Sequence, residues 1–267
     1  MTGKLLVFLS LLFYSAPLWA GPLPTKESLR YRISYSDWIT LGFSEMSILG
    51  PCKEQPDCLH FSTLATSAPW LDSIFRVNDR IESRWDLKNR RSLWHHKDLQ
   101  EGKLFKEYFV SFDYHKNLGQ WEQVGYAKGT TGGASVGTTT DLPVELQDPL
   151  SAVFYARSHP LAGQVGMSFE FDVFDDLKLS RIKMDILAEE EVALEINGQK
   201  RVYMAHKIQP HYQTTGLFQR TSGKLYIWVM KDPPRLPLKF LAEVAVGSIR
   251  VELVEAEPLP DSGEGLE

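Results

Sequence analysis

Gly133-Ala134-Ser135-Val136-Gly137 fits the G-x-S-x-G pattern in which serine hydrolases hold their nucleophile. Asp172, Asp175 and Asp176, then His206 and His211, follow it in the chain order Ser–Asp–His. The chemistry would be acyl transfer, with a histidine taking the Ser135 proton and an aspartate orienting the ring. It requires a strand leading into the serine and a helix leading out, which together force the side chain into an exposed turn. The flanks are Lys-Gly-Thr-Thr-Gly and Thr-Thr-Thr-Asp, with neither a buried strand before nor a helix after. Residues 128–143 therefore read as a Gly/Thr surface loop, and a hydrolase using Ser135 is kept as an alternative.

Other chemical signals are thinner. His95 and His96 are adjacent, so on a strand they point to opposite faces and cannot jointly hold a metal. No HxH or HExxH pattern supports a metal site, and no Gly-Lys-Ser/Thr completes a phosphate loop. Asp175-Asp176 and Glu189-Glu190-Glu191 read as hairpin or edge charges. No cofactor is expected. The aromatic side chains carry more weight. Trp38, Phe43, Trp70 and Trp228 are candidates to stack on a lipid or sugar, although large aromatics are chiefly core residues. Arg157 ends an apolar helical face, so it either reaches solvent or is paired inside, with Asp141, Asp172 or Asp232 as partner.

These groups work where the first twenty residues send them. Lys4, an apolar run from Leu5 to Tyr14, and Ala16-Pro17-Leu18-Trp19-Ala20 have the layout of a secretory leader, expected to be cut after Ala20. The run is too short for a membrane span, which needs roughly 20 apolar residues, and no cysteine near the cut offers a lipid anchor. The expected location is the periplasm, where ATP- and NAD-driven chemistry is starved of cofactor. Cys52 and Cys58 are the two cysteines, and the turn-forming Lys-Glu-Gln-Pro-Asp between them favours a disulfide in an oxidising compartment. A net charge of −5, with no basic cluster beyond Lys88-Asn89-Arg90-Arg91, argues against nucleic acid.

Most of the 267 residues read as strand. Leu29/Tyr31/Ile33/Tyr35, Tyr108/Val110/Phe112/Tyr114, Phe169/Phe171/Val173, Ile182/Met184/Ile186 and Val192/Leu194/Ile196 each alternate with polar or outward neighbours. Trp38–Leu49 and Leu59–Ala65 extend the first strand into a meander, and Pro69–Phe75 reads as a helical turn. Asn197-Gly198 predicts a tight hairpin, with a partner strand over Lys200–Ile208. Both faces of Lys224–Met230 are apolar, so that strand is covered twice or lines a greasy cavity. Leu236–Val246 and Ile249–Val254 change inward parity at Gly247-Ser248, as at a bulge or sharp bend. One segment is helical. Asp148 caps it, Pro149 suits its first position, and Leu150, Val153, Phe154 and Arg157 share a face. Residues 255–267 read as a disordered acidic tail, leaving one domain over 21–254.

Asp148–Arg157, the stretch Gly223–Leu253 with its Trp-bearing strand and Asp-Pro-Pro-Arg turn, and the aromatic Leu29–Met46 together resemble the DUF3108 family of exported bacterial proteins. The resemblance carries no established activity. It implies an architecture like that of the LolA/LolB lipoprotein carriers: mainly β, a strongly curved antiparallel sheet forming a half-open barrel, with one helix in its concave face. The expectation is a non-catalytic protein that holds a lipid, a lipoprotein part or another envelope component. The alternative is an assembly factor of the cell envelope acting through its surface.

Overall fold

The computed structural model describes residues 23–53, 55–127, 132–212, 224–259 and 264–265. The leader read over residues 1–20 lies outside the described residues, as do 128–131 and, in the acidic tail, 260–263 and 266–267. No helix among the described residues is long and apolar enough to cross a membrane.

β1 (Glu27–Tyr35) and β2 (Ile39–Cys52) reverse through Ser36 and Asp37, both at positive φ. Trp38 belongs to this turn rather than to the second strand. β3 (Gln55–Ser67) returns beside β2, and the Cys52–Cys58 disulfide, Cα atoms 5.3 Å apart, crosses the hairpin tip. α1 (Pro69–Phe75) is the short helix expected there. β4 (Asn78–Asp86), β5 (Arg91–Glu101), β6 (Leu104–Asp113) and β7 (Leu118–Ala127) continue the meander. β8 (Gly133–Thr140) then replaces the loop expected over 128–143. It pairs with β7 alone and is exposed along most of its length, so its threonines and valine form a strand without any buried face to give them an apolar period.

After α2 (Pro149–Ser158) come β9 (Ser168–Asp175), the 19-residue β10 (Lys178–Ile196) and β11 (Gln199–Tyr212). The two apolar stretches expected as separate strands at 182–186 and 192–196 are one strand, whose register shifts between Ile186 and Ala188. Asn197 and Gly198 make the predicted turn, with φ of 52° and 77°. β12 (Leu225–Met230), β13 (Pro237–Glu243) and β14 (Ser248–Glu257) complete the sheet. The parity change at Gly247-Ser248 is a full reversal between antiparallel β13 and β14, not a bulge. β14 runs to Glu257, three residues into the stretch read as tail, and a two-residue β15 (Glu264–Gly265) pairs with Arg201 and Val202.

All these strands form one antiparallel sheet ordered β8-β7-β6-β5-β4-β3-β2-β1-β14-β13-β12-β11-β10-β9. Its two ends, β8 and β9, do not pair, so the curved sheet is a half-open barrel around α2. Leu146 and Gln147 stitch across the gap. Ser92 of β5 donates its N–H to the Leu146 carbonyl at 2.8 Å, while Gln147 exchanges backbone bonds of 2.9 and 2.8 Å with Asp172 and Phe174 of β9. This crossing strap delivers the chain directly into α2, which is why the helix lies inside the sheet.

The disulfide closes a small loop, and constraining that loop in the unfolded chain stabilises the fold by about 2 kcal/mol. Replacing both cysteines with serine is expected to lower the unfolding free energy by that amount, read as a lower urea midpoint at unchanged slope, with far-UV circular dichroism unaltered.

Candidate functional site

Both ends of α2 are tied to the sheet by buried polar groups. At the start, Asp148 Oδ1 accepts from the N–H groups of Leu150 (2.9 Å) and Ser151 (3.0 Å), and Ser151 Oγ accepts from the Asp148 N–H at 2.9 Å. This capping box satisfies N–H groups that a helix start leaves unpaired. Asp148 Oδ2 accepts further bonds from Ser83 of β4 (2.5 Å) and Ser92 of β5 (2.6 Å). Neighbouring His95 is buried, which holds its imidazole down to about 4 and therefore neutral. Lys97 and Asp175 form a buried ion pair close by. At the helix end, Arg157 makes a two-pronged pair with Glu27 of β1, at 2.6 and 2.9 Å, and donates to the Pro234 carbonyl at 3.1 Å. The expected partners Asp141, Asp172 and Asp232 are not used. The last turn of α2 meets the start of β1, where Glu27 sits on the inward face in the same parity as Leu29 and Tyr31.

Between these anchors the helix is asymmetric. Phe154 stacks on Phe61 of β3 with ring centroids 3.9 Å apart, and Tyr155 packs against Phe171 of β9 at 5.1 Å. Pro149, Ala152, Val153 and Ala156, spaced i, i+3, i+4 and i+7, form a second stripe of small side chains. The single packed stripe read from the sequence is thus only part of a helix buried on more than one side. The small stripe leaves room, and a cavity of about 390 Å³ lies between it and the far wall of the sheet. Tyr31, Met46, Ile208, Ile227, Phe240 and Val251 supply much of that wall. The charged or hydroxyl-bearing lining groups are Ser44, Arg157, Asp175 and Tyr31. All four are already engaged: Arg157 with Glu27, Asp175 with Lys97, Ser44 with the Thr63 hydroxyl at 3.3 Å, and Tyr31, whose hydroxyl donates to the Pro237 carbonyl at 2.9 Å. Burial raises the Tyr31 hydroxyl far above its ordinary value, so it stays protonated.

Among the described residues, the cavity opens toward one end of the sheet. Ile33 is half-buried while Tyr31 and Leu29 are buried, Met46 is half-buried while Ile48 is buried, and Ile227 gives way to Val229. Val251 gives way to Leu253 in the same manner. Exposure rises on each strand toward the end where β1 turns into β2 and β13 into β14, which sets the mouth there.

Of the five residues expected to contact a ligand, Arg157 lines this cavity. Phe43 pairs with Arg32 and lies on the sheet's other face, under the guanidinium of Arg30. Trp228 alternates with the cavity-lining Ile227 and Val229, and so points away. Its Nε1 donates to Glu190 at 2.7 Å, with the ammonium groups of Lys207 and Lys239 over the ring at 5.1 and 4.8 Å. Trp38 and Trp70 stand at the mouth end, exposed to solvent. The apolar double face of Lys224–Met230 was the sequence signal for the cavity. One face, Leu225/Ile227/Val229, lines it, and the other carries the buried Trp228 and Met230.

The hydrolase elements are scattered. Ser135 lies mid-strand in β8 opposite Gln123, with no turn and no following helix. Asp172 is paired with Arg181 at 3.0 Å, and His211 with Asp185 at 3.0 Å. His206 is buried, which lowers its basicity, and faces Glu189 at 3.6 Å. These residues lie at the opposite end of the strand order from Ser135. His95 points in and His96 out, the latter stacked on Phe109 and 2.9 Å from Glu107. No group of three His, Cys, Asp or Glu among the described residues is placed to hold a metal ion.

A half-open antiparallel barrel with an internal helix and an apolar cavity beside it defines the class of protein. The chain belongs to DUF3108, a family of proteins of unknown function, which it matches over residues 30–254. No curated protein matches it. In fold it is similar to the beta-barrel-like protein of domain of unknown function DUF1849 from Brucella abortus, with a TM-score of 0.55, 10% identity, and 88% of this chain and 98% of that one covered. A protein with a YmcC-like fold from Bacteroides fragilis aligns over 89% of this chain and 98% of its own, with a TM-score of 0.37 and 8% identity.

Proposed function

We propose that this protein is a non-catalytic periplasmic carrier that holds a lipophilic, envelope-derived ligand between α2 and the sheet. The carrying observation is the 390 Å³ cavity, walled by aliphatic and aromatic side chains and open at one end. Transfer of apolar ligand surface into it contributes roughly 25 cal/mol per Å². Arg157 closes the inner end of the cavity, with its two terminal nitrogens taken by Glu27 and the Pro234 carbonyl, so the ligand is held chiefly by apolar contact.

The test is to fill the space. In Ala156→Trp the indole occupies the cavity, and about 60 Å² of lost ligand contact costs about 1.5 kcal/mol, or about tenfold in affinity. Titration with a fluorescent fatty-acyl probe is expected to show that loss or more, with the urea midpoint of the variant unchanged or raised. Wild-type protein that takes up no probe, or a variant that binds as well as wild type, contradicts the carrier reading.

A further inference from the structure

Six large apolar side chains stand bare around the mouth of the cavity. Trp38 is 90% exposed, Ile74 and Val246 are each 76% exposed, and Ile39, Trp70 and Phe75 are each about half exposed. They come from three turns far apart in sequence, and direct contacts join those turns into one rim. The Tyr35 hydroxyl donates to the Val246 carbonyl at 2.8 Å, and the Ser36 N–H donates to the Ser248 carbonyl, locking the β13–β14 turn to the β1–β2 turn. Trp70 Nε1 donates to the Thr40 carbonyl at 2.9 Å, and the Ala68 N–H donates to Leu41, locking α1 to the same β1–β2 turn. Phe75 lies so close to Gly102 in the next turn that a Cβ there would come within 2.8 Å of the ring. Although α1 carries Trp70, Leu71, Ile74 and Phe75, none of its residues is buried.

Packing does not call for this rim, because the core clusters lie deeper in the sheet. Patches of this kind mark interaction sites. The form of this one selects the partner. The strands that carry it are paired on both sides, so it offers no free edge to which an extended peptide could add. Tryptophan is enriched at the headgroup level of bilayers because its ring is apolar and its N–H is not. Of the nearby charges, Asp37 and Arg250 neutralise each other at 2.7 Å, and the exposed Asp72, Arg76, Glu101 and Lys103 around α1 balance in sign. The cavity opens within this ring, where a lipophilic ligand would leave a bilayer without crossing water.

We propose that the rim formed by Trp38, Ile39, Trp70, Ile74, Phe75 and Val246 docks onto the surface of a phospholipid bilayer, placing the mouth of the cavity against it. The proposal rests on the carrier reading, since the mouth gives the docking its purpose, but the two are separable by experiment. Wild-type protein and a Trp38→Glu/Ile74→Glu/Val246→Glu variant are sedimented with phosphatidylcholine vesicles at 0.1 and 1 M NaCl, those concentrations being about the range over which charge screening becomes strong. Both proteins are also titrated with the fluorescent acyl probe in the absence of vesicles. Wild type is expected to sediment equally at both salt concentrations, and the variant to lose at least about tenfold in vesicle partitioning, with probe affinity unchanged within about twofold. Wild type that stays in the supernatant, or a variant that sediments as well as wild type, overturns bilayer docking and leaves a protein partner as the occupant. Failure of both proteins to take up probe, with vesicle binding intact, removes the carrier reading and leaves the docking surface standing.

Discussion

Replacing Glu27 with alanine is expected to destabilise the fold by about 3–5 kcal/mol, the usual cost of stranding one member of a buried ion pair. Glu27 and Arg157 are 4% and 3% exposed, and their two parallel hydrogen bonds hold both carboxylate oxygens. Without the carboxylate, the guanidinium, 3% exposed, keeps only the Pro234 carbonyl as a partner among the described residues. Equilibrium urea unfolding at neutral pH measures the loss. The double variant Glu27→Met/Arg157→Met is the discriminating control. An apolar pair of similar volume removes the desolvation cost along with the attraction, so the double variant is expected to recover most of the stability lost by the single one. If the double loses as much as the sum of the two singles, the pair is not acting as a unit. The double variant also keeps α2 in place while replacing the charged group at the inner end of the cavity with an apolar one.

Asp148→Ala carries the second large effect. Loss of the N-cap costs about 1 kcal/mol. The hydroxyls of Ser83 and Ser92, both fully buried, lose their acceptor, at about 1–3 kcal/mol each. The sum is about 3–7 kcal/mol, measured by the same urea titration. Asp148→Asn is expected to cost about half as much, because its carbonyl oxygen still caps the helix and its amide can donate to a serine hydroxyl that turns over. Since α2 forms one wall of the cavity, Asp148→Ala is also expected to weaken acyl-probe binding at urea concentrations where the protein is still folded. An alanine variant as stable as wild type contradicts the view that Asp148 fastens the helix to β4 and β5.

What the sequence made legible follows from how simply each strand is buried. β1, β6 and β9 bury mainly one face, so their period of two is plain in Leu29/Tyr31, Val110/Phe112 and Phe169/Phe171/Val173, although β6 also carries Phe105 and Phe109 on its outer face and β9 buries Phe174 on its other side. The cap at Asp148 and the turn at Asn197-Gly198 were equally readable because each depends on local backbone chemistry. β4 and β5 were hidden for the opposite reason. Their inward positions include Ser83, Ser92, His95 and Lys97, polar residues that the Asp148 anchor and Asp175 require, so the apolar period is broken where the helix is fastened. β8 was hidden because an exposed edge strand has no inward face at all. Glu27 gave no signal, since a carboxylate beside a strand start resembles any surface charge until the helix end arrives from 130 positions away.

The candidate site was partly legible in the same sense. The two apolar faces of Lys224–Met230 signalled a lined cavity, and Arg157 signalled a buried charge. The choice among the tryptophans did not follow, because a residue's side of a curved sheet depends on register. Ser44 and Phe43 are neighbours, yet the first pairs with Tyr31 on the cavity face and the second with Arg32 on the other. Trp38 and Trp70 are close to the site in space but belong to its rim rather than its wall.

The central claim is that the space beside α2 is a binding site and not a packing defect. Native mass spectrometry of the protein purified from its own cells, followed by solvent extraction, tests it directly. The account predicts a mass above that of the mature chain by one lipophilic ligand per protein, released by the solvent and reduced in Ala156→Trp. A ligand-free mass in every preparation, with nothing extracted, would contradict it.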